Sequence, residues 1–444
     1  MRLIFAALLV LFLLPNPALA DQKWLVASDL HVDPFDRNPM PSDYDFDTNW
    51  PLFYSALAAM HRTEPNPSVV ILTGDFLAHH WFRKVRASGR NSTAFSAAKD
   101  TMAQIARSFA KTFPHSQFVI VLGNNDDPCG DYRSAPGTPY IAALAKIWEP
   151  LVNRRGAAPG FLRDFSHNGS YTARLPGTRL RAIALDDVPW SIVYRSCGRA
   201  KEDLPSEQQA WFARTLAATP NGTRNAVFLH IPPGVDANST LLTHRFLVVP
   251  FMQPGQQARF LAQAGANAGK IAFEIGGHLH QNDFRLMAGV PLLIAPSISP
   301  IYKNSPAFLD LRVANEGTLR DYGMYAYDYD AQSWARVFDF DKTYGVNAFD
   351  AASLERAHRR IEDDPQAYEA WSNAQVAGSP HRQTTRDTWR AYWCAQELSG
   401  RGYTVCAGDQ NRVALLPIAI LLVCGLVVLA VTVAVRRASQ RLRA

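Results

Sequence analysis

Short apolar runs recur along the chain, separated by stretches in which apolar positions return every three or four residues. Residues 23–28, 68–73 and 117–122 read as buried strands, and residues 48–62 and 93–112 between them read as amphipathic helices. Past residue 129 a Pro/Gly-rich loop precedes a helix expected at 140–148, short strands at 170–175 and 180–185, and a helix at 206–216 that opens with Ser-x-Glu. Further strands are expected at 225–229, 270–274, 291–295, 308–313 and 324–329. Strands and helices alternating in this way define an α/β chain. After about residue 345 a charged helical pattern takes over (351–363, 368–373 and 385–398), read as a small C-terminal helical subdomain spanning 346–412.

Both ends depart from the globular pattern. Residues 1–20 place Arg2 before an apolar stretch and finish Ala18-Leu19-Ala20, the layout of a signal peptide cleaved before Asp21. Residues 413–435 form an uncharged apolar run long enough for a transmembrane helix, and the basic tail 436–444 follows at once. The expected protein is single-pass, with its catalytic body (21–345) outside the cytoplasm and the tail inside. The net charge of +6 changes meaning accordingly: Arg2 carries one of these charges and Arg436, Arg437, Arg441 and Arg443 four, leaving the whole exported part (21–412) at +1. Nothing in the bulk charge points to nucleic acid.

Of five cysteines, Cys424 lies in the apolar run, and Cys129, Cys197, Cys394 and Cys406 lie in the exported part, where disulfides form. Four cysteines allow three pairings; Cys394–Cys406 as a local clip and Cys129–Cys197 closing a loop are favoured. Asn-x-Ser/Thr sequons at Asn91, Asn168, Asn221 and Asn238 would mark surface loops in a glycosylating host.

The chemistry lies just past the apolar runs. Ser28-Asp29-Leu30-His31, Gly74-Asp75, Gly123-Asn124-Asn125-Asp126, His230-Ile231-Pro232-Pro233 and Gly276-Gly277-His278-Leu279-His280 each follow one. In extended chain, residues i and i+2 point to one side, so Asp29 with His31, and His278 with His280, are expected to aim together. Singly these motifs are weak, since Asp-x-His is usually a surface pair and Gly-Asp a turn. Five in succession build one polar site at one sheet edge. Carboxylate, amide and imidazole donors together suit Zn, Mn or Fe better than Ca or Mg alone. No Gly-x-Ser-x-Gly elbow supports a serine hydrolase.

On these five segments the chain resembles the calcineurin-like metallophosphoesterase superfamily. Gly74-Asp75-Phe76-Leu77-Ala78-His79 and His230-Ile231-Pro232-Pro233-Gly234 narrow the resemblance to the acid sphingomyelinase-like phosphodiesterase branch, over about residues 23–410. The resemblance implies a four-layer sandwich of two mixed sheets flanked by helices. It also implies two divalent metal ions, zinc first, with manganese or iron as alternatives. Asp29, His31, Asp75 and His280 would hold one ion. Asp75, Asn124, His230 and His278 would hold the other, with Asp75 bridging and the ions activating water against a phosphate ester.

One position departs from the family pattern, which has Gly-Asn-His-Asp or Gly-Asn-His-Glu: here Asn125 replaces the histidine that protonates the leaving group. His79 is then the expected general acid, with Asn125 left to hydrogen-bond a phosphate oxygen, and Asp126 and Asp127 are spare candidates. Gly-Asn-Asn-Asp is also similar to the motif of membrane-anchored endopolyphosphatases, for which Arg83, Lys84, Arg86 and Arg90 would line a polyanion groove. The expected substrate is thus a lipid headgroup ester, a nucleotide-like ester or polyphosphate. A catalytically inactive, membrane-anchored binding protein is the alternative from another class.

Overall fold

The computed structural model describes residues 20–89, 92–197, 204–243 and 247–408. The signal segment (all but its last residue), the apolar run at 413–435, the basic tail and Arg90 lie outside the described residues. Among the described residues no helix is long and apolar enough to cross a membrane.

The strands are β1 (Gln22–Ala27), β2 (Val69–Leu72), β3 (Gln117–Ile120), β4 (Tyr171–Arg174), β5 (Leu180–Ala184), β6 (Arg224–Phe228), β7 (Ile271–Gly276), β8 (Asp283–Met287), β9 (Val290–Ile294), β10 (Ala307–Val313), β11 (Leu319–Asp328) and β12 (Ser333–Asp339). They form two mixed sheets, ordered β12-β11-β10-β1-β2-β3 and β4-β5-β6-β7-β9-β8. In the first, β1, β2 and β3 run parallel and β10 to β12 antiparallel. In the second, β5, β6, β7 and β9 run parallel between antiparallel edges β4 and β8. Strands covered on both faces lose the polar alternation of a half-exposed sheet, which is why β2 reads Val-Val-Ile-Leu and is buried throughout.

The sheets meet through side chains of both. Trp24 of β1 and Phe273 of β7 make an edge contact at 6.1 Å. The Tyr171 hydroxyl of β4 accepts from the Ile120 N–H (2.8 Å) and donates to the Ile120 carbonyl (3.0 Å), so β3 and β4 share a joint. Helices lie against the outer faces. Trp50–Thr63 begins where the Asn49 side chain accepts from the Leu52 N–H, and it buries Leu52, Phe53, Ala56, Leu57 and Met60. Ala94–Thr112 begins in the same way at Thr93.

The C-terminal helices Ala351–Asp363, Pro365–Gln375 and Trp389–Ala395 share the apolar core of the sheets through Leu354, Trp371, Ala391 and Cys394. Asp283 of β8 is buried beneath them and accepts from Trp371 Nε1 (3.2 Å), Gln375 Nε2 (3.3 Å) and Gln396 Nε2 (2.6 Å). They cover an edge strand that would otherwise be open. The helix expected over 385–398 is confined to Trp389–Ala395, and β8, β12 and the helices Trp81–Ala87, Phe161–Asn168 and Pro254–Ala266 were not anticipated. The sequon at Asn168 is no surface loop: Asn168 ends a helix, is 5% exposed, and its Oδ1 accepts from the Ser170 N–H.

Glu274, in the middle of β7, is buried and its Oε1 has no partner. Burial alone pushes its carboxyl from 4.5 up to about 8. The folded state therefore holds a proton that the unfolded chain releases, and stability falls as pH rises from about 4.5 to about 8. Glu274→Gln should leave the melting temperature unchanged near pH 4.5 and raise it near pH 8. The upper bound is on the order of 4 kcal/mol. Equal melting curves for the two proteins at pH 8 would contradict this.

Candidate metal centre

The carboxyl ends of β1, β2, β3, β6 and β7 open on one edge of the paired sheets, the position at which parallel α/β sheets collect ligands. The loop after each strand carries one or two of the expected residues. Asp29, His31, Asp75, Asn124, His230 and His280 are buried, and His278 is half-buried.

The backbone achieves this by a route the alternation rule does not foresee. Asp29 (φ 48°), His31 (φ 40°), Asp75 (φ 55°), His278 (φ 73°) and His280 (φ 55°) are left-handed, not extended. Each such residue costs about 1 kcal/mol or more and persists only where its surroundings hold it. Here the loops hold one another. The Asp29 N–H donates to Gly74 O (3.1 Å), the His31 N–H to Asp75 O (2.8 Å), and the His278 N–H to the Asp29 carboxylate (3.0 Å). Gly74 (φ 99°) is required at this crossing, because a Cβ there would lie 2.6 Å from Gly123 N.

Proton positions follow from the neighbours. His230 Nδ1 lies 2.7 Å from the Thr73 carbonyl and must donate to it, so Nε2 is the nitrogen turned toward the other site residues. That Nε2 is 2.9 Å from Asn124 Oδ1 and 3.5 Å from Asp75 Oδ1. Asn124 Nδ2 donates to Asp131 (2.6 Å), which fixes Oδ1 toward His230. Likewise His31 Nδ1 donates to Leu77 O (3.0 Å), leaving Nε2 at 3.1 Å from His280 Nε2 and 3.3 Å from Asp75 Oδ2. Imidazole nitrogens, an amide oxygen and carboxylate oxygens thus converge on one small buried volume. A divalent cation resolves such contacts, so the residues fit the metal that the motifs imply. His280 Nε2 is also 3.5 Å from Asp29 Oδ1. His278 Nε2 lies 3.1 Å from the Tyr132 hydroxyl, and its ring centroid is 5.1 Å from that of His230.

Charge balance agrees with this donor set. Burial and the neighbouring His79 push His31 down to about 4, and burial with His230 pushes His278 down to about 3. Burial also lowers His280. For Asp75 burial opposes ionisation, yet His230 and His31 outweigh it and hold the carboxylate well below its usual range. His230 carries the counter-charge: burial is again outweighed, here by Asp75, and the imidazole rises to about 10.

Two groups stand otherwise than the motifs suggest. The Asn125 N–H and Nδ2 donate to the two oxygens of Asp75 (2.7 and 2.9 Å), so in this structure Asn125 holds that carboxylate. Asp126, one of the spare acids, accepts from the N–H groups of Asp75, Phe76, Leu77 and Gly123, and so splices the loop after β2 to the loop after β3. Both of its oxygens are taken up by these N–H groups.

His79 stacks on His31 (3.9 Å between centroids) at the rim of the centre. Its Nδ1 lies 2.7 Å from Asp47 Oδ1, and its Nε2 faces the Tyr302 hydroxyl at 3.4 Å. Burial opposes the charge on His79, but the bond to Asp47 outweighs it and raises the imidazole above its ordinary value. Lys84 binds both Asp33 and Asp47 (3.2 Å), so it belongs to this network and is not free to line a polyanion groove. Asp47, Tyr132, Tyr302 and Asp187 escaped the sequence reading; Asp187 accepts from the N–H groups of His230 and Ile231 and orients that loop. Cys129–Cys197 and Cys394–Cys406 are both bonded, the favoured pairing. The first ties down the segment bearing Tyr132, whose carbonyl accepts from the Arg195 N–H (3.0 Å).

The sequence pattern of the calcineurin-like phosphoesterase family matches residues 23–282, and the chain belongs to that family. It is therefore a metal-dependent phosphoric ester hydrolase. Its relatives include sphingomyelinase phosphodiesterase D of Dictyostelium discoideum, 23% identical over 345 residues, which cover 71% of this chain and 72% of that protein. Acid sphingomyelinase-like phosphodiesterase 3b of Homo sapiens is 23% identical over 387 residues, covering 77% and 80%. A solved dimetal phosphatase from Danio rerio aligns with 69% of this chain and 95% of its own, at 12% identity and a TM-score of 0.45.

Proposed function

We propose that this protein is a binuclear phosphodiesterase whose catalytic body faces away from the cytoplasm, anchored through residues 413–435. The observation that carries the reading is Asp75. Its two oxygens face different donor sets, Oδ2 toward His31 and Oδ1 toward His230, as one carboxylate shared by two cations requires. Asp29, His31 and His280 would serve one ion, and Asn124, His230 and His278 the other; zinc suits these donors best, with manganese or iron next. Bound there, divalent cations would supply an activated water and neutralise the phosphoryl oxygens.

The chain's own residues do the rest. Asn125 fixes the Asp75 carboxylate, Asp126 and Asp187 fix the loops, and His79, held by Asp47, presents an Nε2–H to the departing oxygen. The names of the relatives favour a phosphodiester, such as a sphingolipid headgroup ester, over a monoester. Polyphosphate is the second reading: its good leaving group would need no histidine at position 125.

The test is metal analysis of the purified protein together with turnover of sphingomyelin, nucleotide esters and polyphosphate. Two ions per chain and hydrolysis of a diester are expected. Polyphosphate as the only substrate would replace the diesterase reading with the second one. Absence of both metal and turnover would favour a binding protein.

A further inference from the structure

A second charged feature lies at the opposite pole, at the amino ends of β3, β5 and β6, roughly 15 Å or more from the catalytic edge. A cavity of about 540 Å³ opens there, with Arg154, Arg155, Arg174, Arg179, Arg181 and His115 among its walls. Arg154 and Arg181 are half-buried and form the floor; Arg155, Arg174 and Arg179 are exposed at the rim.

The floor is fixed by neutral groups alone. Arg154 Nη1 donates to the carbonyls of Phe113 (2.7 Å) and Ser116 (2.9 Å), and its guanidinium lies 5.3 Å over the Phe118 ring. Arg181 donates to Asn225 Oδ1 (2.9 Å) and the Thr215 carbonyl (2.8 Å). Arg174 Nη2 donates to Gly156 O (3.0 Å). Among the described residues no carboxylate pairs with any of the five arginines, and the guanidinium groups of Arg155 and Arg179 have no partner. Elsewhere arginines find acids, as in Arg312–Asp321, Arg336–Asp339, Arg360–Asp364 and Arg390–Glu362. Burial, and then the charge of Arg155, lower the affinity of Arg154 for its proton.

Five guanidiniums held apart from acids around one concavity repel one another, and a multiply charged anion would relieve that repulsion. Planar five-donor forks suit phosphate oxygens, which accept them in pairs. We propose that this cavity binds an oligophosphate group, separate from the hydrolytic centre. The group could come from a soluble oligophosphate or from a polyphosphorylated lipid headgroup.

Tripolyphosphate titrated calorimetrically into the metal-stripped full chain should bind, and the affinity should fall with rising salt. The double variant Arg155→Ser/Arg179→Ser changes only exposed side chains. It should weaken binding at least about tenfold, while the metal-loaded variant hydrolyses bis(p-nitrophenyl) phosphate at the wild-type rate. In a parallel arm, vesicles of phosphatidylcholine with and without phosphatidylinositol 4,5-bisphosphate are sedimented with each protein. Arginine-dependent binding only to phosphoinositide vesicles would assign the lipid source, and arginine-dependent binding only to tripolyphosphate the soluble one. If neither probe binds, or if the double variant binds as tightly as wild type, the cavity is not an anion site.

Discussion

Asp75→Asn should lower turnover of bis(p-nitrophenyl) phosphate by roughly three orders of magnitude or more. The substitution keeps the size of the side chain and removes the charge. The carboxylate faces His31 Nε2 at 3.3 Å and His230 Nε2 at 3.5 Å, and both would lose their anionic partner at once. A group that places charge against the transition state in a buried site is worth about 10²–10³ in kcat by itself. If Asp75 also bridges two ions, as proposed, its loss should cost more, because it would lower occupancy as well as chemistry. Metal analysis should fall below two ions per chain, while circular dichroism stays that of wild type because Asp126 still stitches the loops through backbone N–H groups. Turnover within tenfold of wild type with full metal content would remove Asp75 from the centre of the reading.

What could be read in the sequence was whatever chemistry lies next to a buried strand. An apolar run ending in Asp-x-His or His-x-His is visible as a local pattern, so β1, β2, β3, β6 and β7 and the seven polar residues past them stood out together. The conformation of those residues was not visible. An alternation rule treats Asp29 and His31 as extended, whereas both are left-handed, and only hydrogen bonds from loops about 45 residues away make that conformation tenable. His79 was legible from its place after Gly74-Asp75, but its partner was not, since Asp47 lies 32 residues upstream with no motif around it. Tyr132 and Tyr302 likewise reach the site through the fold alone. Lys84 shows the converse: a basic run reads as a solvated loop or a polyanion groove until the fold supplies Asp33 and Asp47. Edge strand β12 has largely exposed side chains and so lacks the apolar signature by which the buried strands announce themselves.

His79→Ala tests the assignment that rests least on ligand geometry. If the Nε2–H of His79 protonates the departing oxygen, its loss should slow an alkyl phosphodiester by about 10²–10⁴-fold. A bis-nitrophenyl ester, whose leaving group departs without a proton, should lose far less. Asp47 holds the ring through Nδ1 and raises its affinity for a proton, so Asp47→Asn should show the same selectivity to a smaller degree, because the imidazole remains but loses its anion. The comparison between substrates matters because His79 also stacks on His31, and a variant that merely loosens the ion would slow both esters alike. Equal losses on the two esters, or metal content below wild type, would assign His79 to the wall of the centre; the proton would then have to come from another group, with Tyr302 and Tyr132 nearest in place.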